Sequence, residues 1–281
     1  MKKKILLLGS KGAVASQLVL TFKENNFNNY KIIGKKNNLI KNFDNLKIII
    51  IKFKPTHIIN CYVLSGIIEC EKNILKSYEI NAFFPFKLAE FTKDKKIKLI
   101  HFSTDAVFDG FKKNKIYSEK DKPNPQTIYG KSKYLADQLI NSYKHVLIIR
   151  LPLLFGPTNK KQIVGKLKSR LLTNKKVYAS SDIFSTPVYT PNLAEFIFKT
   201  IIIKTKFNKK KIIHYTSDKY LSIYQLMKDI SKKIKKDHLL IRVKDSFFKS
   251  KIQKPKNLGL KTLIKYHKIS LDLNNLKNFY E

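Results

Sequence analysis

The amino-acid sequence predicts an α/β fold with a doubly wound parallel sheet and a small C-terminal lobe. Two observations support this prediction. Apolar segments rich in β-branched residues alternate along the first half with segments of helical periodicity, as in a parallel sheet covered by helices on both faces. After Arg150 this alternation weakens, and four prolines between positions 152 and 191 interrupt the chain.

The predicted elements follow this alternation. In the first half we expect strands at residues 4–8, 30–33, 57–61, 97–102 and 146–149. Helices are expected between them at residues 13–24, 71–92 and 127–142. The second half is expected to hold helices at residues 161–172, 191–203 and 222–234, and a strand at 211–215 that joins the same sheet. We therefore divide the chain into residues 1–150 and a lobe, residues 151–281, that is interleaved with them.

The chain is strongly basic, yet the distribution of its charge argues against nucleic-acid recognition. There are 57 basic residues and 20 acidic ones, but only Arg150, Arg170 and Arg242 are arginines. Arginine is the side chain that best reads phosphates and guanine edges, and the lysines are spread through nearly every segment. We interpret the net charge of +37 as a bias toward AT-rich codons, with no specific nucleic-acid partner. Polyanion binding is the alternative, and it rests on charge alone.

The sequence also predicts a soluble cytoplasmic protein. Cys61 and Cys70 are the only cysteines, too few for the disulfide framework of a secreted domain. The apolar run after the N-terminal lysines ends at Gly9, and this is shorter than the roughly 7–15 apolar residues of a signal peptide. No segment approaches the ~20 apolar residues of a membrane span.

A glycine-containing turn connects the first predicted strand to the first helix. Gly9, Gly12 and Ala15 form a G-x-x-G-x-x-A pattern, in which Ala13 and Val14 stand between Gly12 and Ala15. Glycines at these positions allow a tight turn and a close approach of the backbone to a pyrophosphate, which the N–H groups of the helix N-terminus stabilise. The pattern predicts a dinucleotide-binding domain of the Rossmann type in residues 1–150. An ordinary strand–helix turn is the alternative.

Two further motifs carry groups suited to acid–base chemistry. Tyr129 and Lys133 lie four residues apart on a predicted helix and so share one face, where an ammonium group lowers the pKa of a phenol. The strand at 97–102 runs into Ser103, Thr104 and Asp105 at its carboxyl end, where parallel sheets form their ligand crevice. A chance match is the alternative for the Tyr–Lys pair alone, because the chain is rich in both residues.

Together these motifs resemble the extended short-chain dehydrogenase/reductases, and specifically the dTDP-4-dehydrorhamnose reductase group. The resemblance covers nearly the whole chain. It rests above all on S-T-D-A-V-F-D-G at residues 103–110, P-N-P at 123–125 and Y-G-K-S-K at 129–133. Further matching segments are I-N-C at 59–61, I-N-A at 80–82, Arg150, F-G at 155–156 and D-I-F-S-T-P at 182–187.

This resemblance implies roles for the candidate site residues. Thr104 would orient a substrate carbonyl, and the adjacent Asp105 would also bind substrate. Tyr129 would donate the proton, while Lys133 would bind the nicotinamide ribose and tune Tyr129. The residues implied to line the cofactor are Gly9, Gly12, Ala13, Val14, Asn42, Phe43, Tyr62, Val63, Tyr129 and Lys133. Among them, Asn42 replaces the Asp that the family has beside the adenine, and Tyr62 and Val63 replace small residues.

The function implied by the resemblance is NADPH-dependent reduction of a 4-keto-6-deoxy nucleotide sugar in deoxysugar and cell-surface polysaccharide biosynthesis. No metal site is expected, and a homodimer is left open. The chain lacks Trp, whereas the rhamnose-pathway reductases carry one near Leu153 that contacts the sugar nucleotide. Residues 151–156 are more similar to the regulatory subunit of methionine adenosyltransferase. A catalytically idle dinucleotide-binding partner subunit and an NAD-dependent nucleotide-sugar epimerase are therefore the alternatives.

The segment after the second predicted strand bears on the choice of cofactor. An acidic residue at this point would bind the ribose 2′-hydroxyl of NADH and repel the 2′-phosphate of NADPH. This chain has Lys35 and Lys36 instead. Exposed charges of this kind contribute about 1 kcal/mol or less each. We therefore expect a modest preference for NADPH, with NADH also used.

Overall fold

A six-stranded parallel sheet organises the chain. The computed structural model describes residues 2–34, 42–111, 116–158, 162–204, 211–250, 252, 254–264, 271–273, 276, 279 and 280. Lys35 and Lys36 lie outside these described residues. The strands of the sheet are β1 (Ile5–Leu8), β2 (Tyr30–Ile33), β3 (His57–Asn60), β4 (Lys98–Thr104), β5 (Val146–Leu151) and β6 (Ile212–His214). Their spatial order is β6-β5-β4-β3-β1-β2, which confirms the predicted doubly wound parallel sheet.

Helices cover both faces of this sheet. They are α1 (Ala13–Glu24), α2 (Phe43–Phe53), α3 (Ile67–Lys72), α4 (Ile74–Tyr78), α5 (Phe84–Thr92), α6 (Ile128–Ile140) and α8 (Thr190–Glu195), whereas α7 (Ile163–Leu172) and α9 (Ile223–Lys233) pack against each other away from the sheet. Successive strand residues point to opposite faces, so that Leu7 packs toward α1 and α8 while Leu6 packs toward α2 and α5. No helix in the described part of the chain is long and apolar enough to cross a membrane.

The second half of the chain contributes to two different cores. Strand β6 pairs with β5 in parallel, as predicted, and α8 packs against α1 on one face of the sheet. The other segments surround a separate core that contains Phe155, Met227 and Phe279. Three short strand pairs frame this second core, namely Leu154–Phe155 with Val188–Tyr189, Val177–Ser180 with Leu240–Val243, and Phe184–Ser185 with Leu221–Ser222. The division at residue 150 stays a prediction.

The helix predicted at residues 71–92 is wrong in its start and in its continuity. Helical structure begins at Ile67, and Asn73, with φ −130°, separates α3 from α4. A π-helical turn, Glu79–Phe83, then joins α4 to α5, and the Phe84 N–H donates across five residues to the Glu79 carbonyl. Pro85, which has no N–H to continue the regular pattern, follows directly. The interruption therefore has local causes in the sequence.

Helix α2 was not predicted, because its sequence gives a misleading signal. Residues 48–51 are four consecutive isoleucines, and a run of β-branched residues is typical of a strand. In the structure only Leu46 and Ile50 of this helix are buried, four residues apart, while Ile48 and Ile51 are about half exposed at 49% and 56%. Contact with the sheet, rather than local propensity, determines this element.

Helix α6 is held to the sheet by a buried ion pair. The Asp137 Oδ2 accepts hydrogen bonds from the Arg150 Nε on β5 and from the Ser103 Oγ on β4, both at 3.0 Å. A Cβ added to Gly130 would lie 2.1 Å from the Ala106 carbonyl oxygen, so α6 approaches the turn after β4 as closely as only glycine allows. This contact brings the N-terminal turn of α6 to the carboxyl end of β4.

We expect Asp137→Asn to destabilise the fold strongly, because it leaves the buried Arg150 guanidinium without a counter-ion. Breaking a buried pair in this way costs about 3–5 kcal/mol. Urea denaturation measures this loss as a lower free energy of unfolding. Asp44→Asn is the control, because it removes an exposed carboxylate that pairs with Lys47 at 2.9 Å and should leave stability almost unchanged. Equal, small losses in both variants would contradict this account of how α6 is anchored.

Candidate active site

The candidate site lies at the carboxyl ends of β1, β3 and β4. Strand β1 is flanked by β2 on one side and β3 on the other, so successive connections leave it in opposite directions. A crevice forms at such a switch point in doubly wound sheets, and ligands bind there. Gly9, Cys61 and Thr104 stand at or directly after the ends of the three strands.

The glycine turn after β1 fits a dinucleotide pyrophosphate. Gly9 has φ +89°, and a Cβ there would lie 2.9 Å from the Cys61 carbonyl oxygen, so this glycine is required for close packing against the end of β3. Gly12 differs, since a Cβ added there would meet no atom within 4 Å. It begins α1 without a side-chain cap, and the first turn, with Ala13 and Val14, keeps its N–H groups for a ligand.

Asn81 holds the loop that follows β3. Its Oδ1 accepts from the Leu64 N–H at 2.9 Å, and its Nδ2 donates to the Leu64 carbonyl at 3.0 Å and to the Ser132 Oγ at 3.1 Å. The residue lies in the π-helical turn, a feature that is frequent at functional sites. Asn81 belongs to the I-N-A segment at 80–82, which carries no assigned role, and its hydrogen bonds fix this wall of the crevice.

The proposed cofactor residues of this wall differ in where their side chains lie. Tyr62 is buried and packs against Phe84 with ring centres 5.3 Å apart, and its assignment to the cofactor stays a prediction. Val63 is only half-buried. Asn42 precedes α2, and the half-buried Phe43 packs edge-on against Phe84 at 6.1 Å. The assignment of Asn42 and Phe43 to the adenine stays a prediction.

Thr104 and Tyr129 come together at the end of β4. Their side chains are close enough for Thr104 to offset part of the rise in the Tyr129 pKa that burial causes, although the residues are 25 positions apart in the sequence. The Thr104 Oγ1 donates to the Asp105 Oδ1 at 3.0 Å and accepts from the Ala106 N–H at 3.2 Å. Thr104 thus joins Asp105, the turn after β4 and the Tyr129 phenol in one group of polar side chains.

The acidities of this group differ from the sequence-based expectation. Burial and the nearby Asp105 carboxyl raise the pKa of Tyr129 above its ordinary value, whereas the Tyr–Lys spacing predicted a lowered pKa. That expectation is wrong because the Lys133 amine turns to another partner. Burial also raises the pKa of Asp105 to about 7. In this structure the phenol therefore keeps its proton at neutral pH.

The partner of Lys133 is His101, which the sequence analysis did not assign to the site. Lys133 is only 3% exposed, and its Nζ lies 3.1 Å from the His101 Nε2. Burial lowers the pKa of Lys133 to about 8 and that of His101 well below its usual range. His101 precedes Ser103 by two residues on β4, and both side chains reach α6. Residues two apart on a strand point to the same face of the sheet, so the spacing of His101 and Ser103 was the sequence signal that could have placed His101 in the site.

Residues 2–276 match the family described as the RmlD substrate binding domain. The chain belongs to this family. The match confirms the resemblance to the dTDP-4-dehydrorhamnose reductase group that the motifs indicate. It spans both the sheet and the C-terminal lobe, so the family accounts for nearly the whole chain.

Three relatives place the RmlD-family chain among known proteins. It is 33% identical over 148 residues to the spore coat polysaccharide biosynthesis protein SpsK of Bacillus subtilis, with 52% of each protein covered. It is 30% identical over 189 residues to the dTDP-4-dehydrorhamnose reductase of Aggregatibacter actinomycetemcomitans, covering 66% of this chain and 63% of that protein. The chain thus matches between half and two thirds of the length of these curated relatives.

The crystal structure of a dTDP-4-dehydrorhamnose reductase from Clostridium acetobutylicum superimposes on this chain with a TM-score of 0.81 at 25% identity. The superposition covers 92% of this chain and 90% of that chain.

We expect Gly12→Ala to weaken dinucleotide binding without destabilising the protein. The methyl group meets no protein atom within 4 Å, but a pyrophosphate at the N-terminus of α1 would contact it. Calorimetric titration with NADPH should give a Kd about tenfold higher or more, which corresponds to about 1.4 kcal/mol. Gly9→Ala is the contrasting variant and should lower the unfolding midpoint, because its Cβ collides with Cys61. An unchanged Kd for Gly12→Ala would place the pyrophosphate elsewhere.

Proposed function

We propose that this chain is an NADPH-dependent oxidoreductase that reduces a 4-keto-6-deoxy nucleotide sugar in deoxysugar or cell-surface polysaccharide biosynthesis, with NADH also used. One observation carries the proposal. Tyr129, a buried phenol whose pKa lies above its ordinary value, is placed beside Thr104 at the crevice end of β4. The family membership and the names of the two curated relatives support the substrate class.

The roles of the residues follow from their hydrogen bonds. Thr104 donates to Asp105 and accepts from the Ala106 N–H, which fixes its hydroxyl beside Tyr129. A substrate carbonyl that enters beside Thr104 would accept a hydrogen bond from the Tyr129 hydroxyl. Tyr129 then protonates the alkoxide that forms when hydride reaches the carbonyl carbon. The raised pKa suits this direction, because the phenol arrives protonated.

The cofactor would supply the hydride, and the protein would supply its position. Gly9, Gly12 and the first turn of α1 would hold the pyrophosphate, and Lys133 would contact the nicotinamide ribose. Residues 151–281 would form the lobe that binds the sugar nucleotide. The net charge of +37 would favour the approach of an anionic substrate of this kind.

Two other functions follow from the departures in the sequence. Residues 151–156 and the missing Trp favour a catalytically idle, dinucleotide-binding partner subunit. Co-purification with a stoichiometric enzyme, together with no turnover of keto sugars by the chain alone, would support that function. An epimerase would instead retain tightly bound NAD, so the cofactor released on denaturing freshly purified protein separates it from a reductase that exchanges NADPH.

We expect Tyr129→Phe to reduce turnover by about 10²–10⁴-fold, because it removes the proton donor. NADPH oxidation with dTDP-4-dehydrorhamnose as substrate measures this loss. Tyr143→Phe is the control. The Tyr143 hydroxyl follows the C-terminal end of α6, far from the site, and donates to Glu90 on α5, so its loss should leave turnover unchanged. Turnover of Tyr129→Phe at the wild-type rate would rule out its role as the acid.

A further inference from the structure

Lys133 is a buried amine with no counter-ion of its own. Asp137 lies one helical turn further along α6, but its Oδ2 is occupied by Arg150 and Ser103, and its Oδ1 has no partner. The ion pairs among the described residues do not include Lys133. A buried ammonium without a counter-ion is strongly disfavoured. The surroundings of Lys133 therefore favour the neutral amine.

The hydrogen bonds of Asn60 fix the tautomer of His101. The Tyr62 N–H lies 3.1 Å from the Asn60 Oδ1, and only the oxygen of the amide can accept this bond. The Asn60 Nδ2, a donor, must then face the His101 Nδ1, which lies 3.2 Å away. The Nδ1 atom is therefore the acceptor, and the proton of the neutral imidazole is on Nε2.

The Nε2–H group of His101 points at the Lys133 Nζ, 3.1 Å away. An ammonium has three donors and no lone pair, so it cannot accept this hydrogen bond, whereas a neutral amine can. We propose that His101 is a positioning residue which, in the Nε2–H tautomer fixed by Asn60, holds Lys133 as a neutral amine in the cofactor-free protein at mildly alkaline pH.

Charging Lys133 requires this arrangement to change. The pair takes up one proton, the Nε2 proton passes to the lysine, and Nδ1 becomes protonated, so that Nε2 now accepts from the ammonium. Nδ1–H then opposes the Asn60 Nδ2, and the bond between them is lost. Because Asn60 also holds the Tyr62 N–H, the charge of Lys133 is coupled to the loop after β3.

The other groups that face Lys133 do not replace this partner. They are Asp137 on α6, Cys61 after β3 and Cys70 on α3. Burial raises the pKa of both thiols, so they stay neutral at neutral pH. Asp137 favours the charged lysine, but burial outweighs it and lowers the pKa of Lys133 to about 8. The switch should therefore fall near pH 8, within reach of experiment.

The tautomer can be measured directly in the cofactor-free protein by NMR. In protein labelled with ¹⁵N-histidine, the His101 signals are those that disappear in His101→Gln. At pH 9 we expect the Nε2–H pattern of two-bond ¹⁵N–¹H couplings. Between pH 9 and pH 6 it should change to Nδ1–H with the same midpoint as the Lys133 ¹³Cε shift. An Nδ1–H tautomer at pH 9 would overturn the proposal, as would an imidazolium that titrates separately from the lysine.

Asn60→Asp tests the cause of the tautomer. A carboxylate still accepts from Tyr62 but also accepts from Nδ1–H, so His101 should carry its proton on Nδ1 at pH 9. The Lys133 midpoint should rise by about one pH unit or more. His57→Gln is the matched control, because His57 is a buried histidine on β3 that contacts Thr56 and not Lys133. An Nε2–H tautomer in Asn60→Asp would contradict the role of Asn60.

The consequence for turnover rests on the proposed reductase function. The pH profile of kcat/KM for NADPH reports ionisations of the free enzyme. The apparent pKa near pH 8 in this profile should therefore shift to higher pH in Asn60→Asp and remain unchanged in His57→Gln. An apparent pKa that stays in place while the NMR midpoint moves would overturn the link between Lys133 and catalysis. Absence of any turnover, with the NMR result as expected, would instead contradict the proposed function.

Discussion

The site depends on how closely α6 lies against the sheet. Burial of Asp137 and Arg150 is costly, and the two hydrogen bonds that the Asp137 Oδ2 accepts, from Arg150 and Ser103, offset this cost only in one geometry. In that geometry the Asp137 Oδ2 faces Arg150 and Ser103, and Lys133, one turn earlier on α6, has the neutral His101 as its partner. Gly130 allows the approach, and the same placement carries Tyr129 to Thr104.

The opposite wall of the crevice is fixed by backbone contacts. Gly9 packs the first turn against the end of β3, and Asn81 binds both polar groups of Leu64 in the loop that follows. Asn81 reaches this loop from a π-helical turn, which Pro85 helps to enforce. Asn60 connects the two walls, since it contacts both the loop at Tyr62 and His101 beneath α6. The crevice is thus shaped before any ligand enters it.

Much of the fold and part of the site could be predicted from local patterns. Strand–helix alternation predicts the sheet, the glycine turn predicts the opening of α1, and the family resemblance implies that Thr104 and Tyr129 act at one site. The prediction fails where tertiary contacts decide. The sequence spacing predicted that the Lys133 amine lies beside Tyr129. In the structure the amine is buried, the Asp137 Oδ2 is bonded to Arg150 and Ser103, and the partner of Lys133 is His101. The contact of Tyr62 with Phe84 is a second example of a tertiary contact that no local pattern indicates.

The central claim is that hydride from NADPH reaches a sugar carbonyl held at the end of β4, while Tyr129 supplies the proton. The most direct test is a turnover with NADPH deuterated at the transferring C4 position and dTDP-4-dehydrorhamnose, followed by mass spectrometry and NMR of the sugar product. The account predicts one deuterium bound to C4 of the product and one equivalent of NADP⁺ formed. Complete turnover without deuterium in the product, or no turnover by the purified chain, would contradict it.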